Sequence, residues 1–231
     1  GENKRRGAMF TYFFNADPTG KNKDSLSLNL YDGERLIRTL KKKAPKKTGF
    51  YRWYWGMDEK GVTRPRRNPR KSSREPSGVR VKPGTYTAVL EYRDQKNEVE
   101  ITVKSDPRIV VSQESIDAVY AASKALEAKM DTAAKAVKQL AESKAILSAY
   151  EKRLKAKDTA EFKNILAKCK YAKTKLTVLM DEFIGKEDKR QGIVRNPNVS
   201  VMTRIYQASR YISSRQSGIT ITEETLLKQA D

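Results

Sequence analysis

Leu26, Leu28 and Leu30 alternate with Ser25, Ser27 and Asn29, which places three leucines on one face of an extended strand and polar groups on the other. Asp32-Gly33 follows, a dipeptide suited to a tight hairpin, and leads into ERLIRTL. The stretches TYTAVLEY and EVEITVK repeat the alternation on either side of the polar turn RDQKN. Pairing Tyr92 with Val99 sets Leu90 against Ile101 and Ala88 against Val103 on a single face. That register also sets Glu91 opposite Glu100 on the outer side: either a carboxylate pair for acid–base work or cation binding, or a wet surface pair. GAMFTYFF reads as the first strand, closed by the turn ADPTG. Some six short strands in roughly 100 residues predict a small β-sandwich over residues 7–107.

The period changes at SDPRIVVSQES. Ile116, Val119, Leu126, Met130, Ala133, Val137, Leu140, Leu147 and Leu154 recur at three-four spacing, and no proline interrupts residues 112–155. One helix of roughly 65 Å follows from a rise of 1.5 Å per residue. DTAE at 158–161 offers a capping box for a second helix, 159–185, with Phe162, Ile165, Cys169, Ala172, Leu176, Leu179 and Phe183 as its apolar stripe. GKEDKRQGIVRNPN reads as a loop. A third helix over about 200–215 presents Val201, Ile205, Ala208 and Ile212, and another starts at 222. Short connections predict an antiparallel, up-down helical bundle over 108–231 with one very long first helix. Residues 1–6 read as a tag scar or disordered lead.

Between the two strand-rich segments lies KKTGFYRWYWGMDEKGVTRPRRNPRKSSREPSG. In a strand, Tyr51, Trp53 and Trp55 share one face, and Phe50, Arg52 and Tyr54 share the other. One face enters the core; the other is a candidate stacking platform for sugars, with Tyr51, Trp53 and Tyr54 as its residues, unless the rest of the protein covers it. The basic loop over 62–80 carries Arg64, Arg66, Arg67, Arg70, Lys71 and Arg74, three prolines and almost no apolar side chain. It reads as a solvated excursion, either a polyanion-binding arm or a variable insertion. Of the chain's formal +20, residues 41–80 supply +11. A field of that sign favours nucleic acid or acidic glycan as partner, although no specific nucleic-acid motif is present.

The chemical inventory is short. There is no histidine, which removes the commonest general base and metal ligand. The one cysteine, Cys169, has no partner for a disulfide and sits on an apolar stripe. No phosphate-binding glycine loop, metal-spaced cluster or triad appears, so neither catalytic nor cofactor-binding nor metal residues are assigned and no cofactor is expected. No run approaches the roughly 20 apolar residues of a membrane-spanning helix, and no apolar secretory core follows GENKRRG.

Several spaced motifs carry a resemblance. LSLNLYDGERLIRTL, TGFYRWYWGMDEKG, VKPGTYTAVLEY and ITVKSDPR resemble the Ig-like domain that follows sortilin-type, BNR-repeat β-propellers in exported bacterial proteins labelled glycosyl hydrolases. A shorter relative is the Ig-like domain of flagellar hook-capping proteins. Arg38, Gly49, Arg52, Trp55, Pro83, Gly84, Tyr86, Asp106, Pro107 and Arg108 occupy matching positions, over roughly residues 6–109. Gly56 departs from the pattern, which has Asp after the tryptophan. The resemblance implies an Ig-like (fibronectin III-like) sandwich and a non-catalytic accessory region, an upstream propeller in the same polypeptide, and an extracytoplasmic, periplasmic or cell-surface location. Polyanion binding through 41–80 and carbohydrate binding stand as alternatives.

Overall fold

This computed structural model describes residues 5–16, 24–68, 72, 74–155, 160–186, 199–215 and 218–230. Residues 1–4, most of the ADPTG turn, Arg70, Lys71, the start of the DTAE box and most of the loop after the second helix lie outside them. The chain divides into two compact units. One comprises Gly1–Val62 with Ser72–Tyr120, the other Thr63–Lys71 with Ala121–Asp231. The basic loop therefore does not belong wholly to the strand-rich unit: Thr63–Lys71 is part of the helical one.

The strand-rich unit holds β1 (Ala8–Phe14), β2 (Ser25–Asp32), β3 (Arg35–Lys43), β4 (Gly49–Trp55), β5 (Asp58–Lys60), β6 (Ser77–Arg80), β7 (Gly84–Tyr92) and β8 (Gln95–Val103). They form antiparallel sheets of order β1-β4, β3-β2-β7-β8 and β5-β6. The alternation of β2 is realised as read: Leu26, Leu28 and Leu30 are buried. Burying each contributes about 1.5–3 kcal/mol. They share one core with Phe14 of β1, Trp53 and Trp55 of β4, and Tyr86 and Ala88 of β7, so the first two sheets are joined by their apolar faces. The register of β2 against β3 shifts between Leu30 and Tyr31, leaving Ile37 as an extra residue. Such a bulge lets two successive residues turn inward, and Ile37 and Arg38 are both buried.

The last hairpin corrects the sequence reading. Tyr92 pairs with Gln95, Leu90 with Asn97 and Ala88 with Val99, around a two-residue turn at Arg93-Asp94. Arg93 takes a φ of 54°, the left-handed conformation that a tight hairpin matched to strand twist demands. The offset of four residues preserves strand parity, so the apolar face survives while every pair changes. Glu91 consequently faces Lys96, with a 2.9 Å ion pair, and Glu100 faces Thr87. The expected pair of opposed carboxylates does not form.

The helices are α1 (Gln113–Leu154), α2 (Ala160–Ile184), α3 (Val201–Ser214) and α4 (Ile221–Gln229). On α1, Leu126, Ala133 and Val137 are buried as the stripe predicts. On α2 the inward line passes through Phe162, Leu166, Cys169, Leu176 and Met180, whereas Ile165 and Leu179 are exposed. With two apolar residues adjacent at 165–166 and three at 178–180, periodicity alone leaves the stripe free to rotate by one residue. On α3, Met202 takes the buried place expected of Val201, beside Ile205, Ala208 and Ile212. Ser200 caps α3, its hydroxyl accepting from the Thr203 N–H at 3.2 Å.

Candidate functional site

The aromatic strand β4 lies beside β1 with Phe10 opposite Trp53, Tyr12 opposite Tyr51 and Phe13 opposite Phe50. Its inner face is packing. Trp55 is fully buried, and its indole N–H donates to the Asp58 carbonyl at 2.9 Å. Trp53 is only 3% exposed, so it does not serve as the open stacking platform expected of it. The Lys42 ammonium stands 4.7 Å from the Trp53 ring centroid. Tyr51 is half-buried, stacks on Tyr12 at 5.9 Å and donates its hydroxyl to the Lys47 carbonyl at 2.6 Å. Tyr54, also half-buried, lies on the outer face with the Arg5 guanidinium 5.3 Å from its centroid. Arg52 is exposed.

What the outer face does show is apolar. Phe13 is 58% and Phe50 78% exposed, their rings edge-to-face at 5.2 Å, with Met9 further along β1. The signal was in the sequence: GAMFTYFF is apolar at both parities, which a strand covered on one side does not need. At the side of β1, a groove of about 330 Å³ is lined by Met9–Tyr12 and Trp53 of the two-stranded sheet and by Leu28, Ala88, Leu90 and Asn97–Val99 of the four-stranded one.

Among the resemblance motif residues, Arg38, Tyr86, Asp106 and Arg108 make local contacts. Arg38, buried, donates through Nη1 to the Glu59 carbonyl at 2.9 Å and to the Pro76 carbonyl, and through Nη2 to the Glu75 carbonyl at 3.2 Å. It thereby holds the far end of the basic loop to β5. Asp58 lies 3.8 Å from Arg38 Nη1. A Cβ at Gly56 would stand 3.1 Å from the Asp58 carboxylate. A side chain at position 56 would therefore press on the Asp58 carboxylate. Pro83 and Gly84 are exposed at the entry to β7. Tyr86 closes that turn, its hydroxyl donating to the Lys82 carbonyl at 2.7 Å, and burial pushes it up to about 12. Asp106-Pro107-Arg108 is a self-contained turn. The Arg108 guanidinium grips Asp106 at 2.6 and 2.9 Å and, with the Arg108 N–H, holds its carboxyl down at about 2.

Of the six basic-loop residues, four are described. Arg67 donates to Asp181 Oδ1 at 2.6 Å and to the Gly185 carbonyl, and Arg64 lies 5.4 Å from the Tyr206 centroid. Both partners belong to the helical unit, so this part of the loop is anchored rather than freely solvated. Arg66 and Arg74 are exposed. Arg70 and Lys71 lie outside the described residues.

Two polar clusters escaped the sequence reading. Glu59, buried, accepts from Arg35 at 3.0 Å and from the Tyr120 hydroxyl at 2.5 Å, tying β5 and β3 to the first turns of α1. Nothing in DEK marks it. Glu223, buried, accepts from the Thr220 N–H at 3.0 Å and from its hydroxyl, and from Arg215 Nε at 2.9 Å. The Thr220 hydroxyl, then Arg215, hold its carboxyl down at about 2. Here a signal existed: Thr-x-x-Glu ahead of Leu226-Leu227 is a capping box.

Among the described residues no group of three or more potential ligands suits a metal ion, and no helix is long and apolar enough to cross a membrane. Cys169 is a half-buried free thiol on α2. No family model, curated protein or solved structure matches this chain.

Proposed function

We propose that this chain is a non-catalytic accessory region of a larger exported bacterial protein, an Ig-like β-sandwich joined to a helical bundle, which orients an upstream β-propeller and carries protein contacts. The observation behind this reading is the apolar outer face of β1 and β4, with Phe13 and Phe50 turned to solvent. Exposed contiguous apolar patches are characteristic of protein contacts. The tyrosine that closes the turn before β7 supports the sandwich, because a tyrosine hydroxyl bonded to backbone a few residues upstream recurs in Ig-like folds. Isolating the native polypeptide with an antibody to this region, and measuring its mass and peptide map, tests the proposal. A propeller sequence preceding residue 1 is expected; its absence overturns the reading.

Polyanion binding is the second reading, favoured by the +11 of residues 41–80 and by the exposure of Lys41, Lys43, Arg66 and Arg74. The anchoring of Arg67 and Arg64 weighs against it, since those two cations are engaged within the protein.

A further inference from the structure

β1 pairs with β4 along one side, and among the described residues no strand pairs with its other side. A two-stranded sheet therefore shares its core with a four-stranded one. The shortfall shows at β8. Val99 is in register with buried Ala88, yet is 53% exposed. The groove of about 330 Å³ lies over this spot, with Phe10 and Tyr12 of β1 on its wall. A cavity of about 150 Å³ admits benzene, so this one has room for roughly two such groups. An edge with unpaired backbone N–H and C=O groups, next to a pocket that takes alternate side chains, supplies both elements of recognition by strand addition.

We infer that an extended segment of an acidic partner polypeptide docks here as a third strand beside β1, its alternate apolar side chains entering the groove over Val99. Charge selects this occupant. Arg5 and Arg6 are exposed immediately before β1, and Arg52 is exposed on β4. Glu98 is the only charged residue in the groove lining, so the groove itself takes the apolar side chains and the exposed arginines bear on the outward ones. A formal charge of +20 disfavours a second copy of the chain and favours carboxylates at the outward positions of the incoming strand. This inference deepens the contact-bearing role proposed above by naming the edge and the kind of partner.

Synthetic peptides nine residues long, the length of β7 and β8, test it on the whole chain. One alternates valine with glutamate, one alternates valine with lysine, and one has the valine–glutamate composition in blocks. Binding is followed by tryptophan fluorescence and by amide hydrogen exchange. The alternating acidic peptide is expected to bind and to slow exchange of the β1 amides that face away from β4, with the other two at least about tenfold weaker. Val99→Glu, at an exposed position, is expected to weaken the acidic peptide by a similar factor without changing the circular dichroism spectrum. Protection at β3 or β8 instead of β1, equal binding of the blocked peptide, or protection of β1 by self-association without peptide would each overturn the inference. Failure to bind any peptide would do the same, yet leave the accessory reading to be decided by the mass of the native polypeptide.

Discussion

Trp55 illustrates how a single side chain is used here. Its ring is fully buried, meets Tyr86 edge-to-face at 5.7 Å and has its N–H satisfied by Asp58. Trp55→Ala removes both the packing and the donor, and is expected to cost about 3–5 kcal/mol, read as a lower urea midpoint. A loss under about 1 kcal/mol would contradict the core assignment. Gly56→Asp restores the residue of the resembled pattern, but sets a second carboxylate against Asp58 at 3.1 Å from the new Cβ. Destabilisation is expected, and Asp58→Asn in the same chain should recover part of it; a stabilised single variant would show that the position prefers Asp after all. At this scale the sequence was legible where chemistry is local. Parity grouped Trp55 with Tyr51 and Trp53, and the helical stripe placed Cys169. Parity also set Phe50 on the face opposite Trp53, but which of the two faces is buried depends on elements far along the chain, and Trp53, named as a stacking residue, is the buried one.

Among the elements, the pair β5–β6 depends on a close approach of backbones. A Cβ at Gly61 would lie 2.3 Å from the Ser77 carbonyl oxygen and 2.7 Å from the Gly78 Cα. Gly61→Ala is expected to break this pairing, release the grip of Arg38 on Pro76, and lower the midpoint of thermal unfolding by several degrees. An unchanged midpoint would mean that the strands separate freely. The α3–α4 junction carries a pH dependence. Glu223 has its carboxyl lowered from the ordinary 4.5 to about 2, chiefly by the Thr220 hydroxyl and then by Arg215. A depressed carboxyl stabilises the fold fully above its unfolded value and loses that contribution as pH falls toward the folded one. Helicity monitored at 222 nm should therefore become less resistant to heat between about pH 4.5 and 2, and Glu223→Gln should flatten that dependence. Equal acid sensitivity of wild type and variant would remove Glu223 from this role. Element boundaries were readable because apolar period and proline spacing are local properties: the helix read at 112–155 spans Gln113–Leu154. The register of β8 was not, because two registers of equal parity bury the same face and only the turn geometry at Arg93 separates them.

At the scale of the whole molecule, the formal charge of +20 governs encounters with other polymers. Titration with duplex DNA and with a sulfated glycan at about 50 and 200 mM salt separates background attraction from a site. Weak binding, equal across polymers and lost at the higher salt, is expected from the anchoring of Arg64 and Arg67. Tight, polymer-selective binding that survives the higher salt would instead promote the basic loop to a polyanion site. The sequence by itself determined the two periods, the strand-then-helix order, the positive field and the faces of most elements, since each depends on residues a few positions apart. Tertiary structure alone decided which cations are free. Arg67 is 114 positions from Asp181, and no local pattern connects them. It likewise decided that, among the described residues, β1 pairs on one side while Val99 stays half-open, because strand partners are chosen by long-range packing rather than by neighbours in the chain.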